Sequence, residues 1–249
     1  MIAEHPKIAY LPGLKALWQE AFGDEEAFID SFFSSGFSPE RCLCILKNEA
    51  VAAAAYWFDC QYGTEKVAYL YAVATAQAHR GQGLCHALLG QLHELLQQQG
   101  YAGSLLVPGE PSLERLYSSM GYRYTGGIQE HRVSAGAPLP IRQISPQTFA
   151  VLRREYLPQG SVIQEGENLS FLSEMARFYA GEDFLLTVSN TDDRLLGLEL
   201  LGNMNAAPGI VAALGYQEGV FRFPGEQPFS MWRPTAEADA PTYFGFAFD

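Results

Sequence analysis

The spacing of apolar and polar positions changes twice within residues 69–100. An apolar, strand-like run ends at Thr75, and a polar turn with the glycines Gly81 and Gly83 follows. Apolar residues then recur at helical spacing, at Leu84, Ala87, Leu88, Leu92, Leu95 and Leu96. This pattern predicts a strand, a short loop and an amphipathic helix.

The loop in this stretch has the features of an anion site. A loop that opens a helix presents backbone N–H groups without helical partners at the positive end of the helix dipole. Arg80 adds a positive charge beside them. A pyrophosphate is the kind of group that such a loop binds.

The chain before this stretch predicts two helices followed by a meander of strands. Apolar positions over 11–33 suggest two short amphipathic helices, with Asp24 as the cap between them. Residues 41–46, 50–59 and 67–75 read as three antiparallel strands.

After the helix, residues 102–107 predict a short strand. A helix carrying Leu113, Leu116, Tyr117 and Met120 follows, and a pair of strands runs through 122–133. A βαβα pattern after a meander predicts an α/β (α+β) fold, a mixed, largely antiparallel sheet with helices on both faces.

The small, proline-rich stretch 134–140 is the predicted domain boundary. Beyond it the pattern predicts helices, strands and a tail strand that places alternate phenylalanines on one face. The predicted helices are 146–156, 168–179 and 208–214, and the predicted strands are 183–189, 195–201 and 244–248.

Composition narrows the classes of function. The 249 residues are 48% hydrophobic and carry a net charge of −12, so a nucleic-acid backbone is a poor partner and cationic or neutral partners are favoured. The four cysteines match no zinc spacing and read as buried thiols, so no metal is expected. No apolar stretch reaches the length of a membrane span, and no cleavable leader is visible; we therefore expect a cytoplasmic protein without a membrane partner.

Two motifs resemble those of a known family. The run from Arg80 to Cys85, RGQGLC, resembles the acetyl-CoA signature of the GNAT superfamily of N-acetyltransferases, Arg/Gln-x-x-Gly-x-Gly/Ala, with Cys85 in place of the last small residue. Residues 116–122, LYSSMGY, resemble the second signature of that family, a helix that bears a tyrosine and ends in Gly-aromatic. The resemblance covers about residues 8–133.

The resemblance implies roles for particular residues. Acetyl-CoA would be the co-substrate, held by the backbones of Val73 and Thr75 along its pantetheine arm, and by the loop residues Arg80, Gly81, Gln82, Gly83, Leu84 and Cys85 at its pyrophosphate. Tyr117 is the candidate catalytic residue, because a phenol can protonate the departing thiolate of CoA. Its spacing from Leu113 and Met120 also fits a core position, and that alternative stays open.

The general base is not defined by the sequence. Glu110 fits a base, a helix-start carboxylate or a solvated side chain, and Glu130, His131 and His79 are weaker candidates. Water is a further alternative to any side chain.

The signatures look closest to the branch that includes the enhanced-intracellular-survival aminoglycoside acetyltransferases. Those relatives use their terminal carboxylate as base, which makes Asp249 a further hypothesis. We predict a GNAT catalytic domain over 1–136 and a degenerate GNAT-like lobe over 141–249. The second lobe lacks a glycine-rich loop and has Val211 where an equivalent of Tyr117 would fall.

The leading functional prediction is an enzyme that moves an acetyl group from acetyl-CoA to a primary amine of a small molecule or peptide. The alternative is a non-catalytic acyl-CoA-binding module that serves as an interaction surface. Only the enzyme needs Tyr117. The sequence does not indicate the acceptor or the oligomeric state.

Overall fold

The computed structural model of the protein describes residues 1–189 and 194–247, and the chain forms two compact units. Unit 1 comprises Met1–Arg123 and Met231–Ala240, and unit 2 comprises Tyr124–Ser230 and the described part of Pro241–Asp249. The division differs from the predicted boundary, because residues 134–140 lie inside unit 2. Unit 1 thus includes a short segment from the second half of the sequence, Met231–Ala240.

The secondary-structure elements follow one another in this order along the chain. The first half contains β1 (Ala3–Glu4), α1 (Leu11–Phe22), α2 (Glu26–Ser35), β2 (Cys42–Lys47), β3 (Ala50–Tyr62), β4 (Glu65–Thr75), α3 (Leu84–Gln98), β5 (Gly103–Leu106), α4 (Pro111–Ser119) and β6 (Arg123–Ser134). The second half contains β7 (Arg142–Ile144), α5 (Pro146–Tyr156), β8 (Val162–Ile163), α6 (Glu167–Met175), β9 (Ala176–Ala180), β10 (Phe184–Ser189), β11 (Leu195–Gly202), α7 (Ala207–Ala213), β12 (Glu218–Pro224) and β13 (Gln227–Pro234).

The sheet of unit 1 is mixed and mostly antiparallel, as predicted. Strands β1 to β4 pair in chain order and antiparallel, and β5 pairs parallel to β4. The last part of β13 pairs antiparallel to β5, from Met231 opposite Leu106 to Pro234 opposite Gly103. A strand from near the end of the sequence thereby completes the sheet of the first unit.

Helices cover both faces of this sheet. The apolar stripe of α3, with Leu88, Leu92 and Leu96 fully buried, packs in one core cluster with Trp57 of β3. The neighbouring Tyr56 points to the opposite face, where its ring centroid lies 5.4 Å from that of Trp18 on α1. Successive strand residues alternate between faces, so one strand builds both layers of the core.

The turn between α1 and α2 differs in detail from the prediction. Gly23 ends α1 in the left-handed region at φ 74°, and Glu25 is the N-cap of α2. Asp24 is not the cap. Its carboxylate accepts a hydrogen bond of 2.7 Å from the indole N–H of Trp18.

The sheet of unit 2 repeats the pairing order of unit 1. Strands β7, β9, β10 and β11 pair antiparallel in that order, β12 pairs parallel to β11, and β6 pairs antiparallel to β12. Helix α7 connects β11 to β12 as α3 connects β4 to β5. By topology α7 corresponds to α3 and not to α4, so Val211 does not take the place of Tyr117.

The Gly-Tyr pair that ends α4 is a general helix stop in this chain. The N–H groups of Tyr101, Tyr122 and Tyr216 each donate to the carbonyl five residues earlier, at the ends of α3, α4 and α7. Evidence for an internal repeat therefore comes from the order of strands and not from this dipeptide.

Three predictions for the second half differ from the structure. The predicted helix 168–179 ends at Met175, because Ala176–Ala180 forms strand β9, with every second residue fully buried. Strands β12 and β13 were not predicted. Phe244 and Phe246 are buried as expected, but in the described part of the tail the only strand-like pairing is a bridge between Tyr243 and Ser161. Phe248 and Asp249 lie outside the described residues.

No helix within residues 1–189 and 194–247 combines the length and apolar character needed to cross a membrane.

Candidate active site

Strands β4 and β5 separate part of the way along β4. Their parallel pairing runs from Val67 opposite Gly103 to Tyr69 opposite Leu105, whereas β4 continues to Thr75. The upper part of β4 is thereby left without β5 as a partner. A strand edge with free backbone groups can hydrogen-bond an extended ligand.

A bulge lies in the same part of β4. Tyr71 pairs with Tyr56 and Ala74 with Ala54, so Ala72 and Val73 together oppose the single residue between them on β3. Ala72 has φ 49°, a left-handed conformation that an alanine rarely adopts. Such bulges bend a strand and redirect its side chains, and here the bend occurs where β5 departs.

The predicted phosphate loop connects β4 to α3. Gly81 and Gly83 have φ 73° and 76°, and open space surrounds the positions where their β-carbons would lie. Gly83 is the N-cap of α3, and no side chain among the described residues caps this helix end. Its first N–H groups therefore face a glycine-lined, uncapped surface.

Arg80 lies within this loop, directly after the 3-10 turn Gln77–His79. Its Nε donates a hydrogen bond of 3.1 Å to the carbonyl oxygen of Thr75, and its side chain is exposed. This bond ties the guanidinium to the end of β4 and engages the Thr75 carbonyl. Gln82, also exposed, donates to the carbonyl oxygen of Ala78 at 3.2 Å.

The last two residues of the signature turn their side chains inward. Leu84 is 1% exposed and belongs to the core cluster under α3, and Cys85 packs against that cluster. Burial raises the pKa of the Cys85 thiol to about 11. These two residues can offer their backbone N–H groups to a ligand, while their side chains stabilise the helix.

Tyr117 is mostly buried in the first unit. It is 6% exposed, belongs to the core cluster with Leu84 and Leu106, and its ring centroid lies 5.9 Å from that of Tyr122. Burial, with a smaller contribution from Cys85, raises the pKa of its phenol well above the ordinary value. The phenol therefore stays protonated at neutral pH and suits a proton donor rather than a base.

The candidate bases are dispersed. Glu110 is the exposed N-cap residue of α4, and its carboxylate accepts a hydrogen bond from Ser112 at 3.1 Å. Glu130 and His131 lie on β6 in unit 2, where Glu130 pairs with Arg222 at 2.9 Å. His79 ends a short 3-10 turn, and Asp249 lies outside the described residues.

Several residues near the site were not found from the sequence. The carboxylate of Glu20 on α1 accepts a hydrogen bond of 2.5 Å from the N–H of Gln77, directly after β4. Ser104 and Tyr122 form a buried hydrogen bond behind Tyr117. These contacts join distant parts of the sequence, and no local motif marks them.

Comparison with known families identifies the class. Residues 4–125 match the model of the acetyltransferase (GNAT) domain. The match shows that residues 4–125 are a GNAT acetyltransferase domain, the domain of acyl-CoA-dependent N-acetyltransferases, and the strand order and the separated β4 and β5 of unit 1 agree with it.

Solved structures share the fold of nearly the whole chain. A GCN5-related N-acetyltransferase from Anabaena variabilis superposes with a TM-score of 0.72 at 16% identity, over 94% of this chain and 73% of that one. One from Kribbella flavida gives 0.69 at 17% identity, over 94% and 70%. Eis1 from Mycobacterium abscessus gives 0.65 at 14% identity, over 92% and 66%. No curated protein shows a significant sequence match to the chain.

Proposed function

We propose that unit 1 binds acetyl-CoA between β4 and β5 and transfers its acetyl group to a primary amine of a small molecule or peptide. The observation that best supports the proposal is the end of pairing at Tyr69 and Leu105, while β4 runs on to the glycine loop. An extended thioester arm fits a strand edge without a partner, and a pyrophosphate fits the loop that follows.

The donor side uses backbone groups and one charge. The pantetheine arm would pair with the backbones of Val73 and Thr75, beyond the bulge at Ala72. Since the Arg80 side chain engages the Thr75 carbonyl, binding would shift this guanidinium toward the pyrophosphate. Gly81 and Gly83 leave room for phosphate oxygens to approach the N–H groups of α3.

Tyr117 would act as the general acid. Attack by a neutral amine on the thioester carbonyl gives a tetrahedral intermediate, which collapses as the C–S bond breaks. The departing thiolate takes a proton from the phenol, whose raised pKa keeps it protonated beforehand. The ammonium nitrogen of the intermediate loses one proton to water, and the resulting phenolate takes a proton back from water, which gives the neutral amide, the free thiol and the phenol. Proton transfer of this kind contributes about 10²-fold or more to the rate.

The acceptor would be a cationic amine that loses a proton to water before attack. The net charge of −12 favours the approach of cations from solution. Polyamines, aminoglycoside-like cations and peptide N-termini share this chemistry, and an experiment must distinguish them.

The test is a panel of these amines with acetyl-CoA, followed by release of free thiol, with Tyr117→Phe in parallel. We expect thiol release with at least one amine, and a fall in kcat of about 10²-fold for Tyr117→Phe with KM for acetyl-CoA little changed. Absence of release across the panel, with CoA still bound, would favour the non-catalytic module. A wild-type rate for Tyr117→Phe would reject the acid role.

A further inference from the structure

The direction of the Tyr117 hydroxyl depends on how its ring is packed. Within residues 1–189 and 194–247 this hydroxyl makes no hydrogen bond, so no polar contact holds it in place. Its ring meets that of Tyr122 edge-on, with centroids 5.9 Å apart and planes at 67°. The ring of Tyr122 is therefore one of the packing contacts that set the direction of the Tyr117 hydroxyl.

Tyr122 is itself held by hydrogen bonds at its backbone N–H and at its side-chain hydroxyl. Its N–H donates to the carbonyl oxygen of Tyr117 at 3.1 Å, across the turn that Gly121 makes at φ 93°. Its hydroxyl lies 2.7 Å from that of Ser104, and the two side chains are 1% and 0% exposed. Burial raises the pKa of Tyr122 to about 12, so the bond joins two neutral hydroxyls.

Ser104 connects the pair of rings, Tyr117 and Tyr122, to the place where β4 and β5 separate. It lies on β5, opposite Ala68 of β4 and opposite Arg233 of β13. The next residue, Leu105, makes the last pair before the strands part. The hydrogen bond between Ser104 and Tyr122 therefore joins the turn that ends the helix of Tyr117 to strand β5, beside the point where β4 and β5 separate.

We propose that Ser104 and Tyr122 are positioning residues for acetyl transfer, whose hydroxyl–hydroxyl bond sets the ring of Tyr122 and thereby the direction of the Tyr117 phenol. This inference rests on the proposed acid role of Tyr117. Neither residue touches the reacting atoms. Loss of the bond frees the Tyr122 ring, and a displacement near 1 Å at a reacting group lowers a rate by up to about 10²-fold.

The test uses Ser104→Ala, Tyr122→Phe and the double variant. Each single change leaves one buried hydroxyl without a partner, which lowers the thermal midpoint. We expect kcat to fall about tenfold in each, with KM for acetyl-CoA within about twofold of wild type. The double variant removes both hydroxyls and should regain most of the thermal midpoint without regaining kcat. Recovery of kcat together with the midpoint would show a purely structural role and overturn the inference.

Tyr101→Phe is the matched control. Tyr101 is 3% exposed, follows a glycine at the end of α3 with the same backbone bond, and its hydroxyl donates to Asp59 at 2.6 Å. It should lower the thermal midpoint and leave kcat unchanged. An equal loss of kcat in Tyr101→Phe would show that any buried hydroxyl has this effect and would reject the positioning role.

A second cycle separates this inference from the proposed function. If Tyr122 acts through the phenol, Tyr122→Phe should change kcat no further in a Tyr117→Phe background. If the losses of kcat in the two single variants multiply in the double variant, the positioning role is rejected and the acid role stays intact. An unaltered rate in Tyr117→Phe alone would reject the acid role, and the positioning role with it.

Discussion

The indole of Trp232 occupies the space that a side chain at Gly103 would need. A β-carbon at position 103 would lie 2.4 Å from Cη2 of Trp232 and 2.7 Å from the carbonyl oxygen of Arg233. The close approach holds β13 against β5. We expect Gly103→Ala to lower the free energy of unfolding by about 3 kcal/mol, measured by urea denaturation, because backbone as well as side chain must move.

Gly90 provides the comparison for this change. It lies inside α3, and apart from its chain neighbours and its own helix backbone no described atom lies within 4 Å of the place for its β-carbon. Gly90→Ala should raise the free energy of unfolding by about 0.5–1 kcal/mol through helix propensity. Equal destabilisation by the two changes would contradict the close approach at Gly103.

Gly83→Ala should weaken the binding of acetyl-CoA. An alanine at φ 76° is strained by about 1 kcal/mol, and relief of that strain turns the first N–H groups of α3 away from the phosphate. We expect KM for acetyl-CoA to rise about fivefold with a smaller change in kcat, in steady-state assays.

Gly63→Ala is the control for the glycine loop. Gly63 has φ 58° in the turn between β3 and β4, again with open space at its β-carbon. The variant should lose similar stability and keep the wild-type KM. A raised KM in this variant would attribute the effect to general strain rather than to the loop.

The buried ion pair of unit 2 should be far more sensitive than an exposed pair of the same geometry. Arg153 bonds both carboxylate oxygens of Glu199 at 2.7 and 2.9 Å, with the two side chains 2% and 1% exposed. Glu199→Gln removes the carboxylate charge that balances the buried guanidinium of Arg153. We expect the free energy of unfolding to fall by about 3–5 kcal/mol, measured by chemical denaturation.

Arg154 and Glu165 form the exposed counterpart. Their two hydrogen bonds are both 2.6 Å long, and the side chains are 54% and 31% exposed. Glu165→Gln should cost less than about 1 kcal/mol, since water screens this pair. Similar losses in the two variants would show that burial does not decide the effect.

His93 should make the protein sensitive to acid. Burial, with a smaller contribution from Arg233, lowers the pKa of this side chain from 6.5 to about 4. The unfolded chain therefore takes up a proton before the folded one as pH falls. Its contribution to stability is fully present above pH 6.5 and is lost progressively toward pH 4. Between pH 6.5 and pH 4 the thermal midpoint should fall less in His93→Gln than in wild type. An equal fall of the midpoint with pH in both proteins would contradict the role of His93.

The local parts of the fold could be predicted from the sequence. Helix α3 has its apolar stripe, its glycine N-cap and its stop within one stretch of chain, and residues 146–156 were predicted with the bounds that α5 has. Such elements depend on neighbours in sequence. The signature from Arg80 to Cys85 is local in the same sense, and the structure places it as one loop.

The parts that depend on distant residues could not be predicted. Nothing in the residues of β13 indicates that they pair with β5, more than a hundred positions earlier, because register is set by the surface on which a strand docks. The Ser104 and Tyr122 bond likewise joins residues 18 positions apart, and no local pattern marks it. The aromatic alternation of Phe221 and Phe223 in β12 was a strand signal that the sequence reading did not use.

The segment Met231–Ala240 has a consequence for how the protein is made. A ribosome releases the N-terminal part first, at about 5–20 residues per second, and a domain usually folds once its last element has emerged. Here the last strand of unit 1 is synthesised only after residues 124–230 of unit 2. Until then β5 has an open edge, and the nascent chain must stay soluble with its first unit unfinished.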